Sequence, residues 1–142
     1  MSWAKLLMAS LAVFIASSLF NFAIHGFILQ PEYRTYPGLL RDLADSQSHT
    51  VFLILSFLVF SPAFVWMYSR GVSSAHWVGQ GVRYAIAIWF IATVSRYLTY
   101  YAIQPWNAGT VLQQIVYELP MMIVLGLIVA WFYRHSPLRD AV

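Results

Sequence analysis

Four long apolar stretches dominate the pattern of hydrophobic and polar positions along the chain. They run from about 6 to 29, 51 to 68, 81 to 101 and 111 to 133. Each is almost continuously apolar, so a 3.6-residue period is faint and length decides the assignment. About 20 residues of helix span a hydrocarbon core. Four strands could not close a barrel, and the alternation of lipid-facing and lumen-facing residues is missing. The pattern therefore predicts an all-α fold: a bundle of four transmembrane helices forming a single integral membrane domain over 1–142. Polar residues collect in the connections, of which only 30–49 is long. Gln30-Pro31-Glu32-Tyr33 breaks the first helix. Residues 37–44 then read as a short amphipathic helix, with Leu39, Leu40, Leu43 and Ala44 on one side. Such a segment is expected to lie in the outer interface and anchor the loop.

Composition strengthens the membrane assignment. Hydrophobic residues make up 61% and charged residues 9% of 142. A soluble domain carries roughly 25% charged residues, so this chain cannot cover itself in water. Its net charge of +3 is small and scattered and does not suggest nucleic acid. With no cysteine, thiol catalysis, disulfides and thiolate metal sites are excluded. The start of the chain has the look of a secretion signal, with Lys5 before an apolar run and then Ala16, Ser17 and Ser18. The run continues to Leu29, beyond the ~7–15 residues of such a signal, so an uncleaved first helix is expected.

Basic residues orient the bundle. If the N-terminus is cytoplasmic, Lys5, Arg70, Arg83, Arg134 and Arg139 lie inside, and Arg34 and Arg41 lie outside. That asymmetry favours both termini inside. Aromatic residues gather at the helix ends, as interfacial belts do: Trp3, Trp66, Trp77 and Trp131 at one face, and Tyr33, Tyr36, Tyr101 and Trp106 at the other. Small residues mark expected contacts. Ala9, Ala12 and Ala16 in the first helix, with Gly81, Ala85 and Ala92 in the third, suggest that these two helices meet closely. Pro62 and Pro120 should bend their helices and free the carbonyls of Leu58 and Val116, and the Ser61 hydroxyl could help re-satisfy the backbone.

Polar residues inside the spans carry the chemistry. Arg96 falls in the third span and Glu118 in the fourth. A charge at the centre of a membrane helix costs ~2.5–3.5 kcal/mol on insertion scales, so the two need each other or a role. With a rise of 1.5 Å per residue, both lie roughly 8–11 Å below the outer helix ends, at a common depth. An Arg–carboxylate bond is expected. His25 and Asn21 share a face of the first helix, Arg96 and Tyr100 a face of the third, and Gln114 and Glu118 a face of the fourth. All six belong to the outer half. They can serve as a lock that fixes helix packing, or as the lining of an outward-opening pocket. Close packing among them would favour the lock, and a cavity larger than one or two waters the pocket. No spacing of histidine and carboxylate is specific for a metal or a haem, and no nucleophile motif or phosphate loop is present, so no cofactor is called for.

The stretch Asn21-Phe22-Ala23-Ile24-His25-Gly26-Phe27-Ile28-Leu29-Gln30-Pro31-Glu32-Tyr33 resembles the first-helix exit of small four-helix bacterial membrane proteins of uncharacterised function, and Glu118 is similar to an acidic residue in their last helix. The resemblance implies a four-span fold in a bacterial inner membrane and brings no activity with it. The leading expectation is a non-catalytic protein that binds a small ligand or lipid through Asn21, His25, Arg96, Tyr100, Gln114 and Glu118. The second is a structural or accessory subunit of a larger membrane complex, or a homo-oligomer. The third is a small membrane-embedded enzyme.

Overall fold

A computed structural model of the chain describes residues 2–135, the Leu43 side chain excepted. Arg139, used above for orientation, lies outside the described residues. The elements are α1 (Trp3–Ile28), α2 (Gln30–Tyr33), α3 (Leu43–Ser48), α4 (Thr50–Arg70), α5 (Trp77–Ile103) and α6 (Ala108–Tyr133). No strand occurs among the described residues. The helices α1, α4, α5 and α6 are long and apolar enough to cross a membrane, so the fold is the expected four-helix transmembrane bundle. Each outruns its apolar stretch by a few residues, partly because capping groups lie beyond the apolar run. Ser2 accepts the Lys5 amide at the start of α1, and Asn107 accepts the Gly109 amide at the start of α6.

The bundle is ordered α4, α1, α6, α5, with α6 at its centre. Met121, Met122, Leu125, Val129 and Ala130 of α6 are buried between α1 and α5. The small-residue stripe of α5 faces α6 rather than α1. A Cβ built at Gly81 would stand 2.6 Å from the Gly126 carbonyl oxygen and 2.8 Å from the Ala130 Cβ. This corrects the expected α1–α5 contact. Helices joined by a short connection pack as antiparallel neighbours, and a glycine on each lets the two backbones touch.

The loop carrying residues 30–49 sits at one end of the bundle, the loop end. At the opposite end α4 is tied to α5: the Tyr84 hydroxyl donates to the Phe64 carbonyl (2.5 Å), and the Gln80 amide donates to the Gly71 carbonyl (2.6 Å). Nearer the loop end α4 is largely unpacked. Val51, Phe52, Leu53, Ile54, Leu55, Leu58 and Val59 are all exposed. Consecutive exposed apolar residues cover every face of a helix, so this half of α4 meets lipid on most sides. Neither proline interrupts its helix. The Ser61 hydroxyl donates to the Phe57 carbonyl (2.7 Å), one residue before the carbonyl that Pro62 leaves open.

The predicted interfacial helix over 37–44 is displaced. Gly38 has φ +81°, a left-handed turn that a continuous helix cannot contain, and Asp42 caps a later helix by accepting the Asp45 amide (2.8 Å). That helix is α3. Leu39 turns inward and packs against Tyr97, Trp106 and Val111, whereas Leu40 is exposed. The loop is strapped to the start of α6. Tyr36 donates to Thr110 (2.9 Å), Thr110 donates to Glu32 (2.6 Å), and the Asn107 amide donates to the Tyr36 oxygen (3.1 Å).

Candidate ligand site in the membrane

Two of the spanning helices contain wide turns. Phe22–Ile28 of α1 and Trp89–Val94 of α5 are π-helical, with hydrogen bonds such as Leu29 N–H to Ile24 C=O (2.8 Å) closing every five residues. His25 lies in the first and Thr93 in the second. Both wide turns flank Glu118 of α6.

Glu118 is the hub. Its Oε1 accepts the Tyr97 hydroxyl (2.5 Å), His25 Nε2–H (3.2 Å) and Arg96 Nη2–H (3.1 Å). Its Oε2 accepts the Thr93 hydroxyl (2.7 Å) and Arg96 Nη2–H (3.1 Å). A carboxylate can only accept, so neutral His25 carries its proton on Nε2 and leaves Nδ1 as an acceptor. Tyr33 supplies the matching donor to Nδ1 at 2.5 Å, and its oxygen accepts the Gln114 amide at 3.1 Å. The donors thus run in one direction, Gln114 to Tyr33 to His25 to Glu118. Burial holds the Tyr33 phenol above its usual range, so it stays a donor.

The six expected residues divide. His25, Arg96 and Glu118 meet, and Gln114 joins through Tyr33. The Arg96–Glu118 bond is present as expected. Asn21 does not join the network and hydrogen-bonds no side chain among the described residues. Tyr100 is exposed and touches the cluster only through an edge contact between its ring and that of Tyr97, 6.1 Å between centroids. Thr93, Tyr97 and Tyr33 are members that the face-sharing argument left out. Tyr97 is adjacent to Arg96 in sequence, and Thr93 is one turn earlier, three residues before Arg96 and within an ordinary α-helical step of it. Tyr33 lies beyond the predicted helix end. Among the described residues, no group of three histidines and carboxylates is placed to hold a metal ion. His49 instead pairs with Asp45 (3.2 Å).

Direct bonding does not fill the site. A cavity of about 170 Å³ lies beside the network, bounded by Asn21, Ser56, Phe57, Thr93, Arg96 and Glu118. At ~30 Å³ per water in bulk, that is room for about five waters. A second hollow of about 350 Å³ opens between α1 and α4, with Asn21 and Phe57 in both walls. The unpacked half of α4 creates both. The charges are placed unevenly: the Glu118 side chain is 3% exposed and that of Arg96 46%. Arg96 uses one nitrogen, Nη2, on Glu118, while Nη1 and Nε face no acceptor among the described residues.

Comparison with known proteins finds no matching family model, no matching curated protein and no matching solved structure.

Proposed function

We propose that this multi-pass membrane protein binds a small membrane-borne ligand or lipid in the cavity beside Arg96 and Glu118, with both termini cytoplasmic and the loop end outside. One observation carries the reading. A chamber with room for several waters, apolar over most of its wall but bordered by Arg96 and Glu118, adjoins the network and shares the wall residues Asn21 and Phe57 with a second hollow between α1 and α4. A packing lock needs no such space, because its groups satisfy one another directly. Ligand sites commonly pair apolar walls with a few convergent polar groups, and this chamber has that lining. The π turns point the same way, since such turns concentrate at functional sites.

The test uses the whole protein extracted in mild detergent and weighed intact by native mass spectrometry. The wild type is expected to carry a bound non-protein mass. Ala92→Phe, which places a ring in the chamber wall without substituting a charged group, is expected to be bare while retaining its fold by circular dichroism. A wild type with no bound mass, or an equal load on the plugged variant, overturns the reading.

The exposed half of α4 favours a second reading, an accessory subunit whose partner helix covers that surface. Gentle extraction separates the two. A species of monomer or homo-oligomer size argues against a partner, and a defined hetero-complex supports one.

A further inference from the structure

The occupant's chemistry can be narrowed, on the premise that the chamber binds a ligand. Two polar residues in its wall have unused groups. Arg96 Nη1 and Nε and the Asn21 side-chain amide have no hydrogen-bond partner among the described residues, and the Arg96 guanidinium also lies over the Tyr97 ring, 4.8 Å from its centroid. The remaining polar walls are already spent. Thr93 donates to Glu118, and Ser56 donates to the Leu53 carbonyl (2.7 Å). Glu118 itself receives donors from four side chains and offers the chamber little further acceptance. What the chamber lacks is therefore an acceptor for the free N–H groups of a guanidinium. Such a cation is matched by an anionic oxygen, of a phosphate or a carboxylate.

The surroundings decide what carries those oxygens. Arg96 is seven residues before the end of α5, roughly 10 Å below it at 1.5 Å per residue. The adjoining hollow between α1 and α4 is walled mainly by Phe22, Gly26, Leu53, Ile54 and Phe57, with Ser18, Asn21 and His25 as its polar members, and the half of α4 beside it is largely exposed. A water-soluble anion would find no aqueous wall there, whereas an acyl chain would lie against apolar side chains on its way to the chamber. We propose that the site takes an anionic amphiphile, a lipid whose phosphate or carboxylate sits on Arg96 and Asn21 and whose chain runs out between α1 and α4.

The experiment offers the delipidated full-length protein equal amounts of phosphatidylglycerol and phosphatidylcholine with identical acyl chains, and reads bound lipid by native mass spectrometry. A further arm supplies inorganic phosphate alone. The wild type is expected to retain the anionic lipid about tenfold over the zwitterionic one, the scale of one charge-assisted bond. Arg96→Gln should bring the ratio to within about twofold while lipid remains bound. Arg96→Lys, which keeps the charge and loses the fork, should retain part of the preference and serves if Arg96→Gln does not fold. Ala92→Phe should remove both lipids while leaving every surface charge in place. Phosphate alone should leave the protein bare. A wild-type ratio near one, with both lipids still displaced by Ala92→Phe, overturns the charge assignment and leaves the binding site standing. A preference that survives Ala92→Phe belongs to the surface arginines and overturns the proposal. Retention of phosphate alone replaces the lipid with a soluble anion. Failure of either lipid to bind overturns the site itself.

Discussion

Removing Glu118 should damage the protein more than removing Arg96, although the two form one ion pair. The reason lies in what each leaves behind. Glu118→Gln keeps the shape but places an NH₂ where an acceptor stood. The hydroxyls of Tyr97 and Thr93 can rotate to accept, and His25 can change tautomer, but Arg96 can only donate. The variant thus leaves an unpaired cation and forces either Tyr97 and His25, on one oxygen, or Thr93, on the other, to rearrange. Breaking a fully buried pair costs ~3–5 kcal/mol, and an exposed pair only ~0–1 kcal/mol. Glu118 is buried and Arg96 is half out, so a loss of about 2–3 kcal/mol is expected. Arg96→Gln leaves Glu118 with the Tyr97, Thr93 and His25 donors intact and should cost about 1 kcal/mol. Thermal unfolding in one detergent, followed by tryptophan fluorescence, ranks the two midpoints. Equal midpoints, or a lower one for Arg96→Gln, would refute the hub reading and restore a simple two-residue bridge. The double change Arg96→Met with Glu118→Leu adds a check. If only a pair were present it should be milder than Glu118→Gln. With three further donors stranded by leucine, it should be no milder.

Other variants probe the rest of the frame. Gly126→Ala should lower stability by about 1–3 kcal/mol, since its Cβ would meet the Gly81 carbonyl and the Ala85 Cβ, whereas Gly79→Ala, with open space around it, should be neutral or stabilising by up to ~1 kcal/mol. Thermal midpoints of the two decide, and equal effects would show that the α5–α6 backbones do not touch. Tyr33→Phe removes the donor to His25 Nδ1 and should cost about 1 kcal/mol in the same melt; no change would mean that the loop residue does not hold the histidine. Reporter fusions at Gly38 and at the C-terminus should read outside and inside respectively, and a cytoplasmic reading at Gly38 would reverse the orientation.

The four spans were legible because a membrane helix announces itself by length alone, and Arg96 with Glu118 because charges are rare in such spans. Equal depth then paired them without any knowledge of packing. Helix neighbours were less legible. Alanine and glycine stripes occur on both α1 and α5, and only the facing glycine, Gly126, shows which helix α5 touches. The loop helix was misplaced because Leu39 and Leu40 suggested an amphipathic face. The capping residue Asp42 marked the true start, and Pro37-Gly38 marked a turn. Tyr33 was missed because it lies beyond the predicted helix end, and the wide turns left a separate mark, on helix register.

From Gly81 onward, buried positions in α5 run Gly81, Ala85, Ile88, Thr93, Tyr97, in steps of four, three, five and four. A five-residue step is foreign to an α-helix, where 100° per residue puts such positions about 140° apart. At the end of α1, the buried Ile24 and the buried cap residue Leu29 show the same step. Each step coincides with a π segment, whose hydrogen bonds close every five residues and bring both positions to one face. The wide turn in α5 therefore aligns two packing registers: Gly81 to Ile88 fitted against α6, and Thr93 to Tyr97 fitted around Glu118. This has a testable consequence. Deleting Ile91, an exposed residue inside the wide turn, leaves Ile88 and the threonine four apart, so an ordinary α-helix then serves both registers. Inserting one alanine after Ile91 makes the step six and swings the Glu118 partners about 100° away. The deletion should keep a cooperative melt close to that of the wild type, and the insertion should lose it or lower its midpoint by more than Glu118→Gln does. If deletion and insertion are equally harmful, the π turn is not a register correction. The turn would then have to be explained by the chamber it borders, where Ala92 and Thr93 form part of the wall.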